Sequence, residues 1–194
     1  MSERLTIIDF VDKYTSKYAK DTFLREKING VWQETSFEDT RKEGRVLAAA
    51  FMSLGLQKGE RVALISEGRK LWIIAELGVL YAGGTDVPLS AKLEESNDLL
   101  FRINHSDSRF VIASQQQLPK IRKIIGQLPL VEKVIVLDDL AEYGEKEIGI
   151  TEFTKMGEAY IAENESKVDE RAASVGPDDY ANISYTSGTT ADPK

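Results

Sequence analysis

The spacing of hydrophobic and polar positions changes along the chain, and each change marks a predicted element. Between residues 61 and 137, short apolar runs typical of buried strands alternate with longer segments whose apolar positions recur every three or four residues. The runs predicted as strands are RVALIS (61–66), TDVPL (85–89), RFVIA (109–113) and KVIVL (133–137). The segments predicted as helices are 70–82, 94–105 and 117–128. Strands and helices that alternate in this way favour parallel pairing, so the sequence predicts an α/β fold with a mostly parallel sheet and flanking helices.

Local signals before residue 61 predict two further helices and a hairpin. Thr6 precedes an amphipathic segment and is a suitable helix cap. Asn29-Gly30 lies between two extended runs, which is a strong signal for a tight hairpin turn because both residues tolerate a positive φ. Ser36 can cap a second helix, and Gly55 is well placed to end that helix in a left-handed conformation.

The net charge of the chain is −7, and the acidic surplus is concentrated after the fourth predicted strand. Residues 138–170 hold 11 acidic and 3 basic residues, a pattern that indicates a solvated surface helix with its loops. This balance repels phosphate backbones, so no nucleic-acid partner is expected. GPDDYANISY (176–185) then predicts a turn followed by a strand that leads into the last residues of the chain.

Composition excludes several other classes of site. The chain has no cysteine, which rules out disulfides, thiolate metal sites and a cysteine nucleophile. No apolar run reaches the ~20 residues of a membrane-spanning helix, although peripheral contact with a membrane stays open. MSERLTIIDF (1–10) lacks the apolar core of a signal peptide, so a cytoplasmic location is expected.

The last ten residues, YTSGTTADPK (185–194), carry the candidate chemistry. A predicted strand leads into a stretch with four hydroxyl side chains, one glycine and a final lysine. Gly188 allows backbone N–H groups to approach a ligand closely, and successive N–H groups in such a turn suit phosphate oxygens. The string differs from a Walker A loop, because Pro193 stands where that motif has a glycine before the lysine. The alternative interpretation of the string is a polar surface loop.

The string resembles the phosphate-binding signature of the adenylate-forming (AMP-binding) enzymes, whose family form is Y-T-S-G-T-T-G-x-P-K. This superfamily includes acyl-CoA synthetases, the adenylation domains of peptide synthetases, and luciferases. Residues 36–56, 55–90 and 98–114 resemble further segments of the family in the same order. Within the superfamily, GGTDVPLS (83–90) is most similar to the long-chain fatty acid–CoA ligases.

The resemblance implies a two-step ligase. A carboxylate attacks the α-phosphate of ATP to give an acyl-adenylate and pyrophosphate, and coenzyme A then takes the acyl group, with Mg²⁺ accompanying ATP. The string would hold the β- and γ-phosphates and stabilise the departing pyrophosphate. The residues to which the resemblance assigns nucleotide phosphate binding are Thr186, Ser187, Gly188, Thr189, Thr190 and Lys194.

The sequence departs from the family in two respects. Ala191 stands where the family usually has glycine, and the chain stops at Lys194, whereas family members are roughly three times as long, on the scale of several domains. We therefore expect residues 1–194 to be an incomplete N-terminal portion of the AMP-binding large domain that ends inside the phosphate-binding loop (185–194). The family's catalytic residues lie downstream, so we expect no catalytic residue within this chain. We also expect no activity, and no bound ATP, Mg²⁺ or coenzyme A, for the chain alone.

Two other functions stay open beside a fatty acid–CoA ligase fragment. One is a non-catalytic binding module that retained the fold, and the other is an adenylating enzyme for a non-fatty carboxylate. The reading frame after Lys194 separates the enzyme from the binding module. Small-molecule substrates are the expected partners in all the enzymatic cases.

His105 is the only histidine in the chain. A general base or a metal ligand would need convergent polar partners, and the surrounding N-H-S-D residues supply only local ones. The preferred interpretation is a histidine at the end of a helix, where its charged form would interact favourably with the helix dipole.

Overall fold

The computed structural model describes residues 4–186. Its helices are α1 (Ile7–Tyr18), α2 (Phe37–Ser53), α3 (Lys70–Tyr81), α4 (Ser96–His105), α5 (Leu118–Ile124), which continues into a 3₁₀ turn (Ile125–Gln127), and α6 (Ile150–Ala173). Its strands are β1 (Thr22–Ile28), β2 (Val31–Ser36), β3 (Arg61–Ile65), β4 (Thr85–Leu89), β5 (Ser108–Ala113), β6 (Lys133–Val136) and β7 (Glu147–Gly149). The predicted α/β class with a parallel sheet is confirmed.

A parallel sheet of five strands in the order β4-β3-β5-β6-β7 forms the centre of the fold. The chain starts this sheet at β3, crosses to β4 on one side, and then places β5 on the other side of β3. The four strands predicted from apolar runs are β3 to β6. The three-residue strand β7 was not predicted, because its single apolar side chain, that of Ile148, is too little to form a strand pattern within the acidic segment.

Helices cover both faces of the sheet because the inner strands are apolar on both sides. On one face, α2, α3 and α6 pack around Phe51, whose ring meets those of Phe110 and Phe153 edge-on at 5.8 and 4.8 Å. On the other face, α4 and α5 pack against alternate residues of the same strands, including Val87 and Val111. This alternation is the two-residue period of a strand that is buried on both sides.

Two glycines allow the helices of the first face to approach α2 closely. A Cβ atom at Gly78 of α3 would lie 2.8 Å from Cβ of Leu47. A Cβ atom at Gly157 of α6 would lie 2.0 Å from the carbonyl oxygen of Val46. The backbone oxygen cannot move without distorting α2, so Gly157 sets the distance between α2 and α6.

The predicted caps and turns before residue 61 are confirmed. Thr6 and Asp9 form a capping box at the start of α1, and the Ser36 side chain accepts a hydrogen bond at the start of α2. Asn29 and Gly30 have φ angles of 50° and 82°, as a tight hairpin turn requires. Gly55 ends α2 with a φ of 83°.

Asp86 of β4 is a completely buried carboxyl group, and neither of its side-chain oxygens has a hydrogen-bond partner among the described residues. Burial raises the pKa of Asp86 well above its ordinary value, and the nearby charge of Glu76 raises it further. Burial also raises the pKa of Glu76. In the folded chain, Asp86 therefore stays uncharged at pH values well above those at which an exposed aspartate ionises.

Because the folded-state pKa of Asp86 is raised, its ionisation destabilises the fold. This loss of stability begins as the pH rises past the ordinary aspartate pKa and is complete above the raised one. We expect Asp86→Asn to flatten this decline and to be more favourable for the free energy of unfolding at pH 8 than at pH 4, because the amide does not ionise. Urea unfolding between pH 4 and pH 8 measures both effects. Glu163→Gln, which neutralises an exposed carboxylate on α6, is the control and should change neither. A wild-type slope retained in Asp86→Asn would contradict this prediction.

We expect Gly157→Ala to destabilise the fold, although alanine is the better helix former by about 1 kcal/mol. The added Cβ would lie 2.0 Å from a backbone oxygen, so α6 must move away from α2. Overpacking of this kind costs about 1–3 kcal/mol and should exceed the gain in propensity. Gly126→Ala is the matched control, because no atom lies within 4 Å of its added Cβ. Equal thermal stability of the two variants would disprove the steric role of Gly157.

Candidate functional site

The segment that leads to the hydroxyl-rich string begins in a turn held by charged side chains. Asp179 accepts a hydrogen bond from the backbone N–H of Gly176 at 2.7 Å and forms an ion pair with Lys58, also at 2.7 Å. Lys58 donates in addition to the carbonyl oxygen of Ser174 at 2.6 Å. The Gly176 N–H and the lysine hold the pKa of Asp179 below its ordinary value. The turn therefore fixes the direction in which the chain leaves α6.

The chain next runs beside the edge strand β4. The Asp86 N–H donates to the carbonyl oxygen of Ala181 at 3.0 Å, and the Ile183 N–H donates to the carbonyl oxygen of Asp86 at 2.9 Å. These bonds form a parallel bridge between Asp86 and Asn182. The Thr85 hydroxyl donates to the carbonyl oxygen of Tyr180 at 3.1 Å. Backbone contacts therefore join the C-terminal segment to the sheet.

The sequence predicts a strand at the end of 176–185. The structure contains only the single bridge at Asn182, so this prediction is wrong for the rest of the segment. The segment keeps a strand-like alternation, with Ile183 and Tyr185 half-buried and their neighbours exposed. The ladder ends because the next residue of β4 whose N–H would face this segment is Pro88, which has no N–H. Proline inside a strand is typical of a sheet edge, and β4 is an edge strand.

The side chain of Tyr185 packs onto the last turn of α4. Its hydroxyl lies 2.8 Å from Nδ1 of His105 and 3.3 Å from the carbonyl oxygen of Arg102. His105 is the last residue of α4, so the prediction of a helix-end histidine is confirmed. Its contact with Tyr185 was missed, because no local pattern connects two residues that lie 80 positions apart.

Thr186 is exposed and is the only one of the predicted phosphate-binding residues among the described residues. The others, together with Ala191, lie outside residues 4–186: Ser187, Gly188, Thr189, Thr190 and Lys194. Of the string, the structure thus describes only Tyr185 and Thr186, and the phosphate-binding assignment stays a prediction.

A second candidate site is a crevice of about 470 Å³ at the carboxyl ends of β3, β5 and β6. In open α/β sheets, ligands commonly bind at this edge, where the strand order reverses. The residues lining the crevice are Glu67, Arg69, Ser114, Gln115, Gln116, Pro119 and Asp138. Sequence reasoning missed this cluster, because its polar residues follow three different strands and form no contiguous motif.

Each charged group of this crevice already has a hydrogen-bonding partner. Arg69 donates to both carboxylate oxygens of Asp138 at 2.8 and 3.0 Å, and Gln117 donates to Glu67 at 2.5 Å. Burial alone would raise the pKa of Glu67, but the hydrogen bond from Gln117 and the charge of Arg69 outweigh it and lower that pKa. Two carboxylates and one guanidinium leave the crevice negative, so it is not suited to bind phosphate.

Residues 4–186 contain neither a candidate metal site nor a candidate membrane-spanning helix. That range contains no group of three or more histidine, cysteine, aspartate or glutamate side chains that could hold a metal ion. It also contains no helix that is both long enough and apolar enough to cross a bilayer.

Comparison with known proteins identifies relatives over nearly the whole chain. A family model described as "AMP-binding enzyme" matches residues 11–194. The chain is 27% identical over 191 residues to the long-chain-fatty-acid–CoA ligase ACSBG2 of Xenopus laevis, a match that covers 98% of this chain and 25% of that protein. It is 29% identical over 199 residues to 4-hydroxybutyrate–CoA ligase 2 of Metallosphaera sedula, covering 98% of this chain and 33% of that protein.

The same fold occurs in solved structures. The crystal structure of the anthranilate CoA ligase AuaEII in complex with anthranoyl-AMP superimposes on the whole chain with a TM-score of 0.76 at 20% identity. The match covers 34% of that protein. The chain thus spans between a quarter and a third of the length of these relatives.

Proposed function

Because the chain belongs to the AMP-binding enzyme family, we propose that it is part of an ATP-dependent acyl-CoA synthetase. Such an enzyme joins a carboxylate to AMP with release of pyrophosphate, and then transfers the acyl group to the thiol of coenzyme A with release of AMP. The observation that carries this proposal is the extent of the family match, which runs from residue 11 through the hydroxyl-rich string to Lys194.

Within this proposal the string binds the phosphates of ATP. Its hydroxyls and backbone N–H groups would donate hydrogen bonds to the β- and γ-phosphate oxygens, and Lys194 would offset the charge that develops on pyrophosphate. The residues with this role are Thr186, Ser187, Gly188, Thr189, Thr190 and Lys194. Mg²⁺ would accompany ATP, as the resemblance to the family implies. The residues that perform the chemical step are not assigned to this chain.

The proposed acyl substrate is a long-chain fatty acid. Support comes from the similarity of GGTDVPLS (83–90) to fatty acid–CoA ligases and from the name of the Xenopus laevis relative. The names of the Metallosphaera sedula relative and of the anthranilate CoA ligase favour a second candidate, the activation of a non-fatty carboxylate. In either case we propose small-molecule partners and a cytoplasmic location.

The proposed activity predicts carboxylate-dependent exchange of pyrophosphate into ATP by a polypeptide that continues this chain to the length of its relatives. We expect long-chain fatty acids to support exchange better than amino acids. A radiolabel exchange assay over a series of carboxylates measures this preference. Exchange with amino acids and with no fatty acid of any length would refute the fatty-acid assignment, and exchange with no carboxylate at all would favour a non-catalytic binding module.

In the same polypeptide, Lys194→Ala and Thr189→Ala should slow adenylate formation, because each removes a donor to the departing pyrophosphate. The loss of one such donor commonly costs about 3 kcal/mol, or roughly a hundredfold in rate. Ser184→Ala is the matched control, since it removes an exposed hydroxyl that precedes the string and bonds only locally to Asn182. Single-turnover rates equal to wild type in both string variants would place the string outside the site.

The chain alone should show no heat of binding with Mg-ATP at micromolar concentrations. The string supplies only phosphate contacts, and ordering a terminal segment costs about 1–2 kcal/mol per residue, which offsets several hydrogen bonds made in water. Isothermal titration calorimetry with the 194-residue chain is the measurement. A dissociation constant in the low micromolar range would show that the chain contains much more of the nucleotide site than we propose.

A further inference from the structure

The carboxyl group of Asp86 is completely buried on the edge strand β4 and makes no hydrogen bond. The only other buried side-chain atom of residues 4–186 without a partner is Oε1 of Gln117. A polar group that is buried without a hydrogen bond costs free energy, and this cost is much larger for a charged carboxylate than for a neutral acid. The burial of Asp86 is therefore favoured only while the group carries its proton.

The backbone of the same residue holds the chain that follows α6. Residues 180–185 are called the docked segment below. The N–H of Asp86 donates to the carbonyl oxygen of Ala181, and the carbonyl oxygen of Asp86 accepts from the N–H of Ile183. The only other hydrogen bond between β4 and this segment within residues 4–186 runs from the Thr85 hydroxyl to Tyr180. The unpartnered carboxyl group and the bridge thus belong to one residue.

The side chains of the elements next to Asp86 do not neutralise it. Arg61, the only charged residue of β3, bonds to the turn between α4 and β5. Of the two charged residues of α3, Lys70 pairs with a carboxylate of α2, and Glu76 is itself acidic. The docked segment contains tyrosines but no charged residue, and the carboxylate just before it pairs with Lys58. Burial and the charge of Glu76 both raise the pKa of Asp86.

The arginines of α2 and α6, on the same face of the sheet, are also bonded to other groups. Arg41 of α2 pairs with Asp12. Arg45 of α2 pairs with Asp169 of α6. Arg171 of α6 donates to carbonyl oxygens of the main chain. None of these cations bonds to the buried carboxyl group of β4, so an ionised form has no side chain that would stabilise it.

We propose that the Asp86 carboxyl group controls, through its proton, whether the docked segment stays paired with β4. An ionised carboxylate needs water, which can reach it if either α3 or the docked segment moves. Helix α3 packs on α2 and on the sheet through a large apolar surface, whereas the docked segment is held by one bridge and a few side-chain contacts. Opening of the segment is therefore the less costly way to hydrate Asp86, and loss of the proton favours the open state.

A second titratable side chain contacts the other end of the docked segment. Nδ1 of His105 lies 2.8 Å from the hydroxyl of Tyr185, so the charge of this ring also acts on the segment. Substitution distinguishes the two groups, because Asp86→Asn removes only the ionisable carboxyl group and leaves the residues of the other contact in place. The proposal rests on Asp86 alone, and it does not require the enzymatic role proposed above.

Hydrogen exchange of the Ile183 amide in the 194-residue chain tests the proposal, because opening of the bridge frees this amide. Its protection is the exchange rate of an unstructured peptide at the same pH divided by the measured rate. We expect this protection to fall at least about tenfold between pH 5 and pH 8, and by no more than about tenfold per pH unit, the limit for one proton. The amide of Val111, on the central strand β5, reports opening of the whole fold and should be far more strongly protected at every pH.

Three variants identify the group that loses the proton. Asp86→Asn should make the protection of Ile183 independent of pH, because the amide side chain does not ionise. Glu76→Gln removes a neighbouring negative charge, so Asp86 ionises more readily while still buried, and the fall in protection should be smaller than in wild type. Asp178→Asn, which changes an exposed carboxylate two residues before the docked segment, is the matched control and should retain the wild-type fall.

Three results would overturn the proposal. The first is a protection of Ile183 that does not change with pH in wild type. The second is a fall in protection that persists in Asp86→Asn, which would assign the proton to Glu76 or His105. The third is equal protection of Ile183 and Val111, which would show that the bridge opens only when the whole fold opens. The first and third results come from wild type, so the test stays decisive even if a variant does not fold.

Discussion

Two backbone hydrogen bonds to Asp86 connect the candidate chemistry to the sheet. They place residues 181–183 beside β4, and the hydroxyl-rich string follows within the same short segment. Without this bridge, the segment after α6 would be held only by its turn at Asp179 and by side-chain contacts. The placement of residues 181–186 therefore depends on an edge strand that bonds to them through the backbone of one residue, Asp86.

That edge strand combines two unfavourable features. Pro88 prevents a longer ladder, and Asp86 buries a carboxyl group that has no partner among the described residues. A buried unpaired carboxyl costs stability and is retained by folds chiefly where it has a role. The backbone of Asp86 forms the bridge while its side chain faces α2, α3 and α6, so the same residue affects both the stability of the sheet and the docking of the C-terminal segment.

Most of the fold could be predicted from the sequence, because its signals are local. The apolar runs of β3 to β6, the cap at Thr6 and the turn at Asn29-Gly30 each depend on neighbouring residues and on elementary backbone preferences. The features that could not be predicted are set by distant parts of the chain. The contact of His105 with Tyr185 and the crevice at the ends of β3, β5 and β6 exist only once the sheet has formed.

The candidate site was predicted from a sequence motif. The structure shows how the segment that leads to this motif is bonded to β4, and it shows no ligand contacts of the motif. The string continues directly from a segment that is paired to β4 through the backbone of Asp86. Hydrogen exchange of single backbone amides tests this claim most directly. We expect the Ile183 amide, which donates to the Asp86 carbonyl oxygen, to be protected, and the Tyr185 amide, which donates to no backbone carbonyl among residues 4–186, to exchange at nearly the rate of an unstructured peptide. An Ile183 amide that exchanges as fast as that of Tyr185 would contradict the account.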